Sequence, residues 1–170
     1  MSLVARETSL TTASTVQSTA IAEQFIEGRE IYVGVMGNDR ITTLPAWEFS
    51  STKDADKPLI ATDRAKWDPE YQRQHGLKTG PAKLTEKIQQ QLASVSKEIY
   101  RALAMSGYAR LDCRLTETGD AYLLEASPNP QIAKDEDFAK SALHIGISYP
   151  ELIDQLLRLG MRYVPSRTIG

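Results

Sequence analysis

Two rhythms of apolar residues run along the chain. Ile31, Val33 and Val35 alternate with other residues, and such a period of two predicts a strand with one buried face. Ile21 to Ile26, Glu30 to Met36 and Ile41 to Phe49 are short runs of this kind, punctuated by Gly28 and by Gly37-Asn38-Asp39. They read as an antiparallel meander with a hairpin at Gly-Asn. Ile88, Leu92, Val95, Ile99 and Ala102 follow at spacings of four, three, four and three, one face of a helix over Leu84 to Met105. Thr85 is placed to cap its start, and Ser106-Gly107 to end it. Tyr108 to Leu115 and Ala121 to Ala126 alternate again. Asp137 to Ile145 and Tyr149 to Leu159 are helical in pattern, with Gly146 and Gly160 as stops. The elements predict an α+β fold, an antiparallel sheet with packed helices.

Two stretches have neither rhythm. Eight of the twelve residues from Thr8 to Thr19 are Ser or Thr, so residues 1–20 are expected to be a linker or remnant, with the folded lobe over 21–170. Residues 50–82 are polar, with Gly76, Gly80 and Pro81 as breakers. They are expected to form a mobile loop, because unstructured connections this long are usually functional or mobile.

Length and charge narrow the function. A chain of 170 residues makes one domain with a proper core. Twenty basic and twenty-two acidic residues give a net charge of −2, without the basic excess of a nucleic-acid binder. No eighteen apolar residues run together, so no membrane span is expected. Cys113 is the single cysteine, which excludes an internal disulfide and suits a reducing compartment; a cytoplasmic protein is expected. Cys113 itself falls on an apolar strand face and reads as core. Neither His75 nor His144 lies at metal-ligand spacing from another His or Cys. Trp47 and Trp67 are candidate substrate platforms, Trp47 more simply core.

The candidate chemistry lies in one hairpin. If Thr118 and Gly119 form a two-residue turn, cross-strand partners have numbers summing to 237. Leu111 then faces Ala126, Cys113 faces Leu124 and Leu115 faces Tyr122, an apolar face for the core. The opposite face collects Arg110, Asp112, Arg114, Glu125 and Ser127, with Asp112 directly across from Glu125. Like charges about 5 Å apart on a sheet are unfavourable unless neutralised. A divalent cation would neutralise them, since two carboxylates and nearby neutral oxygens suit Mg²⁺. The alternative is a solvated face on which Arg110 and Arg114 pair with the carboxylates. Ser127-Pro128-Asn129-Pro130 ends the strand abruptly and presents Asn129 as a further oxygen ligand or donor.

These residues resemble the C-terminal catalytic lobe of ATP-grasp ligases of the D-alanine–D-alanine ligase type, over Glu23 to Leu159. Glu23-Gln24-Phe25-Ile26-Glu27-Gly28-Arg29-Glu30 resembles the family's hinge. Arg110-Leu111-Asp112 and Glu125-Ala126-Ser127-Pro128-Asn129-Pro130 resemble its metal signature, and Lys66-Trp67 with Gly80-Pro81-Ala82 its mobile loop. The resemblance implies an ATP- and Mg²⁺-dependent (or Mn²⁺-dependent) ligase that joins a small carboxylate to an amine acceptor through an acyl phosphate. It further implies Glu23, Gln24, Phe25 and Ile26 around adenine, Glu30 on the ribose hydroxyls and Lys66 on phosphate. Asp112, Glu125, Ser127 and Asn129 are the implied metal ligands, and Arg110 the cation facing the reacting anion.

The chain also departs from the pattern. Ser127 stands where the family places an Asn ligand, which leaves Asn129, or a water, to compensate. Gln131 and Glu136 occupy the places of the small residues and serine that hold the D-alanine carboxylate, so the expected substrate is not D-alanine. Only about twenty residues precede the hinge match, where the family has a substrate domain and a glycine-rich lobe. An incomplete ligase is therefore expected, with a non-catalytic nucleotide- or partner-binding module as the alternative and self-association into a homo-oligomer foreseen.

Overall fold

The computed structural model describes residues 8–12, 19–53 and 68–163. Its main sheet has six strands: β3 (Arg29–Met36), β4 (Thr42–Thr43), β5 (Trp47–Ser51), β6 (Leu77–Pro81), β7 (Tyr108–Leu115) and β8 (Ala121–Ser127). Their order is β6-β5-β3-β7-β8, with β4 paired to β3, and every pairing is antiparallel. Among the described residues four helices accompany it: α1 (Pro69–His75), α2 (Glu86–Ala102), α3 (Asp137–His144) and α4 (Tyr149–Met161). The α+β architecture is the one the two rhythms predict.

Strand β3 is central, and both of its faces are covered. On one face Ile31, Val33 and Val35 join Ala109, Leu111, Cys113 and Leu115 of β7 and pack against Leu92, Ile99 and Tyr100 of α2. The Tyr100 hydroxyl donates to the Gly37 carbonyl at 2.9 Å, which ties the helix to the end of β3. On the other face, Met36 and Leu44 pack with Phe138, Ala139 and Ala142 of α3 and Leu152 and Leu156 of α4. Tyr32, Trp47 and Phe49 form a third cluster there with Tyr71 and Leu77. The expectation of one buried face is thus corrected: Glu30, Tyr32 and Gly34 lie under the α3 side and are buried as well. Gly34 shows why, since a Cβ at that position would come within 2.8 Å of Leu44 Cδ1 and 3.0 Å of Phe138.

Within residues 50–82, the described residues 50–53 and 68–82 hold more order than a loop. Asp68 caps α1 by accepting from the amides of Glu70 and Tyr71, Pro69 opens the helix, and Gly76 closes it at φ 59°. β6 follows at once and extends the sheet, Ser51 opposite Leu77 and Trp47 opposite Pro81. These cap signals are weak individually and flank a helix of only seven residues, too short for periodicity to register. Lys66 and Trp67 lie outside the described residues. In the Ser/Thr-rich start, the described β1 (Thr8–Thr12) and β2 (Thr19–Glu23) pair as a separate antiparallel ribbon, in keeping with the strand preference of threonine.

The predicted long helix is shorter at both ends. Thr85 caps it as expected, its hydroxyl accepting from Ile88 N at 3.4 Å, but the helix stops at Ala102 and the chain turns through Ala104 at φ 49° before reaching Ser106. Trp47 is core, with an indole N–H that has no hydrogen-bond partner among the described residues and a ring edge-on to His144, 5.9 Å between centroids.

Candidate active site

The β7–β8 hairpin positions the candidate chemistry through two irregularities that cancel. Its turn is not Thr118-Gly119 alone. Thr116 N donates to Asp120 O at 2.9 Å and Gly119 N to Thr116 O at 3.0 Å, so Glu117, Thr118 and Gly119 form a three-residue loop with Gly119 at φ 88°. Near the turn the pairing is therefore shifted by one: Leu115 faces Ala121, Arg114 faces Tyr122 and Cys113 faces Leu123 rather than Leu124. A bulge between Asp112 and Cys113 then absorbs Leu124. Beyond it Asp112 faces Glu125, Leu111 faces Ala126 and Arg110 faces Ser127, the register foreseen.

One face of three strands now collects polar groups. Tyr32 of β3 stands across from Asp112, Glu30 from Arg114 and Gly34 from Arg110. Arg110 grips Asp112 with two hydrogen bonds, Nε to Oδ1 at 2.7 Å and NH2 to Oδ2 at 2.8 Å. The guanidinium also lies over the Tyr32 ring, 4.6 Å from its centroid. Burial alone would lower the affinity of Arg110 for its proton, but the hydrogen bonds and charge of Asp112 outweigh it and raise its pKa. The Tyr32 hydroxyl donates to Glu30 Oε1 at 2.9 Å. Burial first, then the Glu30 charge, pushes its phenol far above the ordinary value. Glu30 Oε2 lies 3.2 Å from Arg114 NH2, with both side chains about 6 % exposed. Arg114 also donates to the Gly28 carbonyl at 3.1 Å. Thus the arginines pair with carboxylates, but with Asp112 and Glu30, while Glu125 is exposed.

A cleft of about 450 Å³ opens beside this face. Arg110, Ser127 and Asn129 line it, with Tyr32 and Phe49 from the sheet and Leu77, Lys78 and Thr79 from β6. Its far wall is Asp135, Glu136, Asp137 and Lys140 at the start of α3, joined to β6 by a Thr79 hydroxyl to Asp137 hydrogen bond of 2.5 Å. Asn129 Oδ1 accepts from the Tyr108 hydroxyl at 3.0 Å, which holds the Ser127–Pro130 segment against β7. The hinge residues Gln24 to Glu27 precede β3 without regular structure; Gln24 and Phe25 are exposed, and Arg114 lies 5.5 Å from the Phe25 ring. Glu23 ends β2. Gly28 turns this segment into β3 at φ 149°, so close to the Leu115 carbonyl that any Cβ would collide with it.

The donors suit a hard cation within limits. Among the described residues no group of three or more His, Cys, Asp or Glu side chains gathers. Asp112 and Glu125, with Ser127 next along β8, supply two carboxylates and a hydroxyl, enough for Mg²⁺, which keeps waters and takes phosphate oxygens. Asp112 already accepts twice from Arg110, yet a carboxylate offers about four lone-pair sites, so Arg110 and a metal can share it.

Reading the sequence alone leaves out Tyr32, Phe49, Thr79, Lys78 and Lys140. Tyr32 was within reach: if Ile31, Val33 and Val35 face the core, Glu30 and Tyr32 must share the other face. Thr79 and Lys78 lay in the segment read as loop.

An antiparallel sheet sealed on one side by a long helix, and carrying on the other a cross-strand carboxylate pair, an arginine and an open cleft, has the features of an ATP-grasp catalytic lobe. The chain belongs to the D-Ala–D-Ala ligase C-terminal family, whose pattern, described as "D-ala D-ala ligase C-terminus", matches residues 3–158. It is 32% identical over 144 residues to the uncharacterized protein y4sG of Sinorhizobium fredii, covering 84% of this chain and 41% of that protein. It is 30% identical over 141 residues to a D-alanine–D-alanine ligase of Desulfotalea psychrophila, covering 83% and 42%. A D-alanine–D-alanine ligase structure from Bacillus anthracis shares the fold with a TM-score of 0.66 at 23% identity, over 86% of this chain and 43% of that one. The chain spans about two fifths of the length of these relatives. Among the described residues no helix is long and apolar enough to cross a membrane.

Proposed function

We propose that this lobe serves an ATP- and Mg²⁺-dependent carboxylate–amine ligase of the cytoplasm, one that activates an acid as an acyl phosphate and passes it to an amine. The observation that carries the reading is the Asp112–Glu125 cross-strand pair next to Arg110, which itself lines the cleft. In this reading Asp112 and Glu125, with Ser127 or Asn129, hold Mg²⁺, which when bound screens the phosphate charge. Arg110 faces the developing anion as a fixed cation, pre-organised by Asp112. Glu23, Gln24, Phe25 and Ile26 flank adenine, and Lys66 meets phosphate.

The cleft carries both signs, Arg110, Lys78 and Lys140 against Asp135, Glu136 and Asp137, which favours a zwitterionic amino acid as one substrate. Gln131 at its rim, with Glu136, supports an acid other than D-alanine. Ser127 in place of an amide ligand, and Asp112 closed on Arg110, favour a second reading, a nucleotide-binding lobe without turnover.

Melting with and without Mg²⁺·ATP tests the proposal. Nucleotide at a hundred times its dissociation constant is expected to stabilise the chain by about 2.7 kcal/mol, and Asp112→Asn with Glu125→Gln to abolish the effect. No stabilisation of the wild-type chain, or the same stabilisation in the double variant, contradicts the site. Phosphate release that requires an added carboxylate, measured on a protein as long as the relatives, separates ligase from binding lobe.

A further inference from the structure

We propose that Tyr32 is the positioning residue for Arg110: its ring carries the guanidinium from below while its hydroxyl is locked on Glu30, which Arg114 holds in turn. The inference rests on the reading of Arg110 as the cation that faces the reacting anion. Four contacts form an unbroken line across two strands. Arg114 lies 3.2 Å from Glu30, Glu30 accepts from Tyr32 at 2.9 Å, Tyr32 lies 4.6 Å from Arg110, and Arg110 reaches Asp112 at 2.7 and 2.8 Å.

The line has a mechanical sense. An arginine side chain has many rotamers, and a bidentate carboxylate fixes the plane of its guanidinium but not the side from which the cleft is approached. A ring beneath it fixes that side. Tyr32 can serve because it is buried, 4 % exposed, and because its hydroxyl cannot turn away without leaving Glu30 Oε1 short of a hydrogen bond in a buried site. Arg110 itself remains partly exposed and lines the cleft.

A second consequence concerns Glu30. Both of its oxygens are engaged, Oε1 by Tyr32 and Oε2 by Arg114, and the residue is 5 % exposed. A carboxylate offers about four lone-pair sites, so the ribose task the resemblance implies for Glu30 is compatible with its support of Arg110.

Hydrogen exchange at arginine Nε–H tests this without any nucleotide. The Arg110 resonance, identified by its loss in Arg110→Lys, is expected to exchange about tenfold faster in Tyr32→Leu, the factor a partly buried cation–π contact supports. Tyr32→Phe keeps the ring and is expected to keep most of the protection, while Tyr32→Met, which also removes the ring, serves as the readout should Tyr32→Leu fail to fold. Arg29, on the same strand as Tyr32 and held by Glu48 of β5 at 2.8 and 2.6 Å, is the internal control and should not change. Unchanged exchange of Arg110 in the variants that remove the ring, or Arg29 and Arg110 accelerating together, overturns the proposal. An outcome against the relay leaves nucleotide stabilisation of the wild-type chain standing, and failure of that stabilisation leaves the relay standing.

Discussion

The two faces of the sheet are built on opposite terms. Toward α2, strands β3 and β7 present Ile31, Val33, Val35, Ala109, Leu111, Cys113 and Leu115, with no charge among them. Toward α3, the same strands present Glu30, Tyr32, Gly34, Met36, Tyr108, Arg110, Asp112 and Arg114, four of the eight charged and three of those four buried. Burying apolar surface on the first face stabilises the fold outright. Burying ion pairs on the second gives a net return near zero, because desolvation consumes most of the attraction. Folding stability can thus be concentrated in one face, leaving the other free to hold charges in fixed positions for chemistry.

The largest expected effect comes from unbalancing the second face. Arg114→Met strands Glu30 as a buried unpaired charge and should cost about 3–5 kcal/mol in a denaturant titration, together with the loss of Arg110 protection. On the first face, Leu111→Ala should cost about 3 kcal/mol, since the residue is fully buried, yet leave the stabilisation by Mg²⁺·ATP intact. Equal losses of ligand response in both variants would erase the distinction. Gly34→Ala brings a methyl against Leu44 and Phe138 and should cost about 1–3 kcal/mol, read as a lowered melting temperature.

The smallest effect per step is a pH slope that belongs to the α2 face. Burial, with the Asp112 charge adding, pushes the Cys113 thiol from 9.0 up to about 12. The native state therefore keeps its proton where the unfolded chain has lost it. Stability from this group is complete below pH 9 and falls as pH rises toward 12, by about 1.4 kcal/mol per pH unit. Cys113→Ala should flatten the slope of the denaturant midpoint between those limits; an unchanged slope would place the titration elsewhere, Tyr100 being the next such group.

Much of this architecture is legible in residue order. β7 spans the residues its alternation marks, and α2, α3 and α4 lie within a few residues of their patterns, because each has an apolar stripe long enough to count. The Asp112–Glu125 pairing is legible for a less direct reason. A turn one residue longer than expected and a bulge one residue wide offset each other, so the right partners emerged from a simpler hairpin. What stayed hidden is long-range. That Arg114 reaches Glu30 depends on β3 lying beside β7, which no local spacing encodes, whereas Arg110 and Asp112 pair locally, two residues apart on β7. The β6 wall of the cleft was hidden as well, since a seven-residue helix and a five-residue strand after Asp68-Pro69 carry too few positions for a period to show.

The most direct test uses Mn²⁺ in place of Mg²⁺, bound with ATP, as a paramagnetic marker in the NMR spectrum of the wild-type chain. The account predicts broadening that centres on Asp112, Glu125 and Ser127 and spares Leu92, Val95 and Ile99 on α2. Broadening centred instead on Asp135 to Asp137, or spread equally over both faces of the sheet, would contradict it.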